Sequence, residues 1–175
     1  MKCSGLLLSA LVPGLMLASA SAFAASDVPP DRAGPPYNVP STRYVADMDF
    51  FKLGRRMGSS SAVRGDSKGH IWVVDRCSAN DCAGSPLDPI VEFDADGNFI
   101  KAFGAGQLLF PHGFFIDAND NLWITDGHVD AKRKLGDVVR EFSPDGKLLR
   151  TLGRPGVSGS GHDTFHEPSA VLVAP

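Results

Sequence analysis

Beyond its first 25 residues this chain of 175 contains no apolar run that approaches the ~18 residues of a spanning helix, so no membrane span is read from it. No later stretch repeats its apolar residues every 3.6 positions, and the spacing of the β-rich runs leaves little room for crossover helices, which weakens any α/β alternative. Basic residues are not in excess, with 17 Lys and Arg against 20 Asp and Glu. Arg55-Arg56 and Lys132-Arg-Lys134 are short clusters of a solvated face, which argues against a nucleic-acid partner. Cysteine is scarce. Cys3 lies at the extreme N-terminus, and Cys77 and Cys82 have no second pair with which to complete a structural zinc site.

The N-terminus carries what those absences leave room for. Lys2, the apolar stretch Leu6 to Leu17 and the small-residue pattern Ala22-Phe-Ala24 read as an export signal over residues 1–25. Its removal takes Lys2 and Cys3 with it and leaves 16 basic against 20 acidic residues, a net charge of −4 with histidine neutral. A secreted or periplasmic location follows as an expectation. Disulfides persist in such compartments, so Cys77 and Cys82, enclosing Ser-Ala-Asn-Asp, read first as a local disulfide and alternatively as a metal pair. Residues 26–43 hold five prolines and read as an extended linker; residues 44–56 turn apolar and are expected to contain a strand.

From there the chain is one unit written twice and begun a third time. Gly69-His-Ile-Trp-Val-Val-Asp75 and Glu92-Phe-Asp-Ala-Asp-Gly-Asn98 are echoed by Asp120-Asn-Leu-Trp-Ile-Thr-Asp126 and Glu141-Phe-Ser-Pro-Asp-Gly-Lys147. Trp72 and Trp123 are 51 residues apart, and the Glu-Phe pairs 49. A period near 50 built of short strands and turns is the pattern of propeller blades. The expected fold is all-β, with blade 1 over 57–108, blade 2 over 109–164 and the start of a third over 165–175. In the second unit the strands are expected at 113–117, 121–126, 138–142 and 147–152. Asp96-Gly97 and Asp145-Gly146 signal two-residue hairpins, and Asp117 to Asn121, without the glycine and distant glutamate of a calcium loop, reads as a tight turn. The segments 77–89 and 127–137 read as long polar loops on one face.

These units resemble NHL repeats. Phe110-Pro-His-Gly-Phe-Phe-Ile-Asp117 followed by Asn121-Leu-Trp-Ile-Thr-Asp126, with Trp72-Val-Val-Asp-Arg76, is similar to the peptidyl-α-hydroxyglycine α-amidating lyase family, and residues 77–88 look like its bacterial branch. The resemblance spans roughly residues 45–175. It implies a six-bladed propeller holding zinc through three histidines, with a structural calcium nearby, that cleaves a peptidyl-α-hydroxyglycine to the peptide amide and glyoxylate. Carried over, His112 would be a zinc ligand and Arg76 the active-site arginine. The backbone carbonyls of Val63 and Phe114 would bind calcium. The partner implied is a small peptide-like substrate, whose carboxylate suits a forked guanidinium.

Against this stand plainer readings. A histidine after proline at a strand entrance is often only a hydrogen-bonded structural group, and Arg76 could pair with Asp75 or Asp81. His162 and His166 lie among glycines and Pro168, in a loop rather than on a metal-binding helix. The family's remaining zinc histidines and catalytic tyrosine belong to later blades, and the chain stops within the apolar run Ala170-Val-Leu-Val-Ala-Pro175. An incomplete propeller, from a truncated member of the family and inactive by itself, is the expectation. A non-enzymatic propeller that binds a ligand on its loop face is the alternative, and a lactonase-like hydrolase using calcium the third.

Overall fold

The computed structural model describes residues 47–174. The export signal, the linker and the first residues of the expected N-terminal strand lie outside the described residues. Within them there is no helix. The chain forms two four-stranded antiparallel sheets in simple sequential order: β1 (Ser60–Gly65), β2 (Ile71–Asp75), β3 (Ile90–Phe93) and β4 (Phe99–Phe103), then β5 (Phe110–Ile116), β6 (Leu122–Asp130), β7 (Leu135–Phe142) and β8 (Leu148–Leu152). The two sheets do not close into a ring.

Strand alternation explains the packing. On β2, Trp72 and Val74 face the second sheet and join Ile90, Leu108, Phe114, Leu122, Ile124 and Phe142 in one buried cluster. Val73 points the other way, to a smaller cluster with Val91 and Phe93. Each such side chain contributes about 1.5–3 kcal/mol when fully buried, so the sheet-to-sheet core is the main source of stability.

Four of the six hairpin connections within the sheets use one turn. In each, the first residue donates to the carbonyl four positions on and accepts from the amide three positions on: Asp66 to His70, Asp94 to Asn98, Asp117 to Asn121 and Ser143 to Lys147. The expected two-residue turns are therefore corrected to longer ones, each closed by a left-handed residue in the manner of a glycine bulge. That residue is Gly69, Gly97 and Gly146 in three of them and Asp120, with φ 61°, in the fourth. Asp120 is tolerated because its short carboxylate is used: it accepts from the Ser67 amide at 3.0 Å and the Ser67 hydroxyl at 2.6 Å, joining the two sheets.

Three expectations change. Among its described residues the expected N-terminal strand shows one bridge, Lys52 to Asn98, while Phe51, Leu53 and Met57 cover the outer cluster; Gly54, at φ 75°, turns the chain away from further pairing. Residues 165–174 form no strand, only a bridge from Phe165 to Ser158. The expected loop 127–137 is mostly ladder, because β6 and β7 continue past a register shift and pair Val129 with Gly136 and Asp130 with Leu135.

Candidate functional site

The sheet contact brings Arg76, which follows β2, against Phe110 at the start of β5. Arg76 Nε donates to the Pro111 carbonyl at 3.1 Å and Nη1 to Asn80 Oδ1 at 3.3 Å. Its guanidinium carbon lies 3.6 Å from the centre of the Phe110 ring. Against that ring His128 also stacks, at 3.7 Å and 16°. Two groups so close to one ring centre must occupy opposite faces, giving a three-layer stack of guanidinium, benzene and imidazole. Burial lowers the Arg76 guanidinium from its ordinary value, but it keeps its charge. Among the described residues it makes no ion pair. Asp75 does not serve it, being taken by Arg55 at 2.6 Å.

The loop that carries Arg76 is tied at both ends. Cys77 and Cys82 form a disulfide with 5.2 Å between Cα atoms. Cys77 and Ser78 both adopt left-handed backbone, with φ 54° and 60°. Ser78 N–H donates to Asp75 at 3.2 Å, Arg76 N–H to the Ser59 carbonyl at 3.2 Å and Cys82 N–H to the Leu109 carbonyl at 2.8 Å. The guanidinium is thus presented by an anchored loop rather than a mobile one.

Asp75 and Asp126, one repeat apart, are matching clamps. Asp75 accepts from the Gly58 amide at 2.5 Å, and Asp126 from those of Leu109 at 2.9 Å and Phe110 at 2.6 Å. Each carboxylate fixes the chain where it enters a sheet. Asp126 also takes the Gly136 amide at 3.1 Å. Desolvation raises its pKa to about 6, against the opposing pull of those amides and of the Arg140 charge.

His112 is exposed at the mouth of the same face. Its Nδ1 lies 3.1 Å from the Ser169 carbonyl, and in the tautomer that donates this bond Nε2 is left as a free donor atom of the kind a zinc ion uses. With Phe110, His128, Glu167 and Ser169 it lines a cleft of 210 Å³. The cleft also offers the His128 imidazole and the Glu167 carboxylate, but His128 is stacked on Phe110. Among the described residues no group of three metal-binding side chains includes His112, whereas a catalytic zinc takes three; the residues present do not by themselves fit the ion. Val63 lies half-exposed on β1 and Phe114 buried on β5. The Val63 carbonyl already accepts from the Arg64 guanidinium at 3.0 Å, a competitor to any cation there.

Among the described residues one metal-like cluster does occur, Asp66, His70 and Glu92, and the repeat shows what it does. Asp66 accepts from Trp72 Nε1 at 3.0 Å, His70 meets Glu92 at 2.7 Å, and Glu92 pairs with Lys101, which lies over Trp72. In the second sheet Asp117 accepts from Trp123 Nε1 at 3.0 Å, Asn121 meets Glu141 at 3.3 Å, and Glu141 pairs with Arg150 over Trp123. Asn121 stands where His70 does, and an amide does the same bridging work, so the network is structural. Burial works against ionisation of Asp66 and Asp117, but the indole and backbone N–H donors outweigh it and hold both below the ordinary carboxylate value.

His128 was not singled out from the sequence, and Phe110 and Asp126 stood in the motif strings without a role of their own. The sequence signal at His128 is that the second unit, unlike the first, lacks the cysteine pair and carries Gly127-His128 and Gly136 instead.

Two Trp-centred, four-stranded sheets repeated in sequence and packed face to face are NHL-type propeller blades. The chain is similar to NHL repeat-containing protein 3 of Mus musculus, 28% identical over 122 residues, 66% of this chain and 32% of that protein. It is also similar to a probable peptidyl-alpha-hydroxyglycine alpha-amidating lyase of Caenorhabditis elegans, 27% identical over 139 residues, 71% of this chain and 38% of the relative. Over 89 residues it is 33% identical to peptidylglycine alpha-amidating monooxygenase of Rattus norvegicus, half of this chain and 9% of that protein. No family model matches. These similarities support an NHL-repeat chain, which spans about a third of the length of the first two relatives.

Proposed function

We propose that the chain is an exported, lyase-like NHL propeller unit that binds the carboxylate end of a peptide-like ligand at the Arg76 face. The observation that carries this is a partly buried guanidinium stacked on Phe110, oriented by Pro111 and Asn80 and free of any carboxylate partner among the described residues. Charge-assisted, forked bonding to a carboxylate is the interaction that such a group is built to make. The similarity to a probable peptidyl-alpha-hydroxyglycine alpha-amidating lyase supports the ligand class. The disulfide suits an oxidising compartment.

His112 is the residue that would hold zinc, and the Val63 and Phe114 carbonyls are those that would hold calcium. Among the described residues no three metal-binding side chains converge at His112, so no step is derived through zinc. That incomplete ligand set favours the second reading, a binding module without catalysis.

Titration of the full chain with N-benzoylglycine tests the first claim. Arg76→Ala is expected to weaken binding roughly tenfold to a hundredfold, the loss of a charge-assisted pair; equal affinity would overturn the carboxylate site. Zinc content and glyoxylate release from an N-acyl-α-hydroxyglycine separate the two readings. Stoichiometric zinc that His112→Ala loses, together with glyoxylate, supports the lyase. Zinc-free protein that still binds N-benzoylglycine supports the binding module.

A further inference from the structure

His128 reaches the Phe110 ring by a departure from regular structure. The β6–β7 register shifts between Asp126 and Val129, and His128 takes φ 54°, a left-handed conformation unusual for a residue other than glycine. The opposite strand makes room: Gly136 has φ 83°, and a Cβ there would stand 2.0 Å from the His128 carbonyl oxygen. Asp126 pins the same place through the Gly136 amide. Bulges re-aim side chains at the rims of sheets, and this one turns an imidazole out of the ladder and onto the ring that carries Arg76.

Packing alone does not call for histidine there, since any flat apolar side chain would cover Phe110. The imidazole is exposed, and among the described residues its ring makes no hydrogen bond. It lines the 210 Å³ cleft beside His112 and Glu167. The two stacking distances, 3.6 and 3.7 Å, together place the guanidinium and the imidazole roughly 7 Å apart across the ring. Two extended residues span about that length, at about 3.3–3.6 Å each.

We infer that His128 is a ligand-contacting residue that reads the length of a peptide-like ligand, bonding a backbone polar group about two residues from the carboxylate that Arg76 holds. The inference rests on the Arg76 reading. Ligands with a second peptide unit reach the imidazole, and shorter ones end over Phe110.

The test compares N-benzoylglycylglycine with N-benzoylglycine on the full chain, by calorimetric titration. The unaltered protein is expected to prefer the longer probe about tenfold, the worth of one polar contact. His128→Phe keeps the stack and should abolish that preference; His128→Gln, which can still donate and accept, should restore part of it. A preference that survives His128→Phe overturns the inference while leaving the carboxylate site intact. Equal weakening of both probes by His128→Phe also overturns it, since the residue then only positions Phe110 and Arg76. If Arg76→Ala binds either probe as the unaltered chain does, the carboxylate reading fails first and this inference with it.

Discussion

Gly136→Ala is expected to lower the stability of the chain by about 3 kcal/mol and to displace His128 from Phe110. Two costs add at this residue. A non-glycine side chain at φ 83° pays the left-handed penalty, about 1–2 kcal/mol. The new methyl must also push back the His128 carbonyl, 2.0 Å away, and that is backbone rather than the end of a flexible side chain; overpacking of this kind costs about 1–3 kcal/mol. Gly106→Ala separates the two costs, because Gly106 has φ 70° and an added methyl there would meet nothing within 4 Å. It should lose only the first, about 1–2 kcal/mol. Urea denaturation midpoints of the two variants measure the difference. If they coincide, the close approach at Gly136 does not constrain the bulge.

That contrast also explains what was legible beforehand. The blades could be read because their determinants are local: Trp72 and Trp123, the repeated Glu-Phe pairs and the Asp-Gly turns recur at a fixed period. Turn length was harder, since the bond from each turn's first residue to the carbonyl four positions on leaves no mark on the Asp-Gly dipeptide. Arg76 and His112 were named as candidates through motif resemblance, and both lie at one end of the sheet contact, where Arg76 bonds the Pro111 carbonyl. His128 was not singled out, and Phe110 stood in the motif string without a role. Their association depends on a register shift within β6–β7, and a shift of one residue is decided by the Asp126 clamp and the missing Cβ of Gly136, not by alternation of apolar residues. The Asp66–His70–Glu92 cluster shows the reverse case, where the repeat itself supplies the control. Its counterpart with Asn121 makes the same bonds.

Replacement of Asp126 by asparagine is expected to change the pH dependence of stability more than its value at any single pH. The Asp126 carboxyl is buried at the point where the chain enters the second sheet, and desolvation raises its pKa to about 6 from 3.8. The folded state therefore holds the proton more tightly than the unfolded state does. Stability from that preference is fully present below pH ~4 and is lost as the pH rises through about 6. The displacement corresponds to about 3 kcal/mol between the two protonation states. Arg140 opposes the rise through its charge, and its own pKa is lowered chiefly by burial; the bonds from Phe110, Leu109 and Gly136 oppose it as well. Asp75, in the equivalent place, has Arg55 against it at 2.6 Å, a contact for which Asp126 has no counterpart among the described residues. Unfolding free energies of the unaltered chain and Asp126→Asn, compared from pH 4 to pH 7, isolate the group. The unaltered chain should lose stability relative to the variant by up to about 3 kcal/mol as the pH rises across that window. Parallel curves, or a relative gain toward neutral pH, would mean that the three amide donors dominate and keep Asp126 ionised in the folded protein.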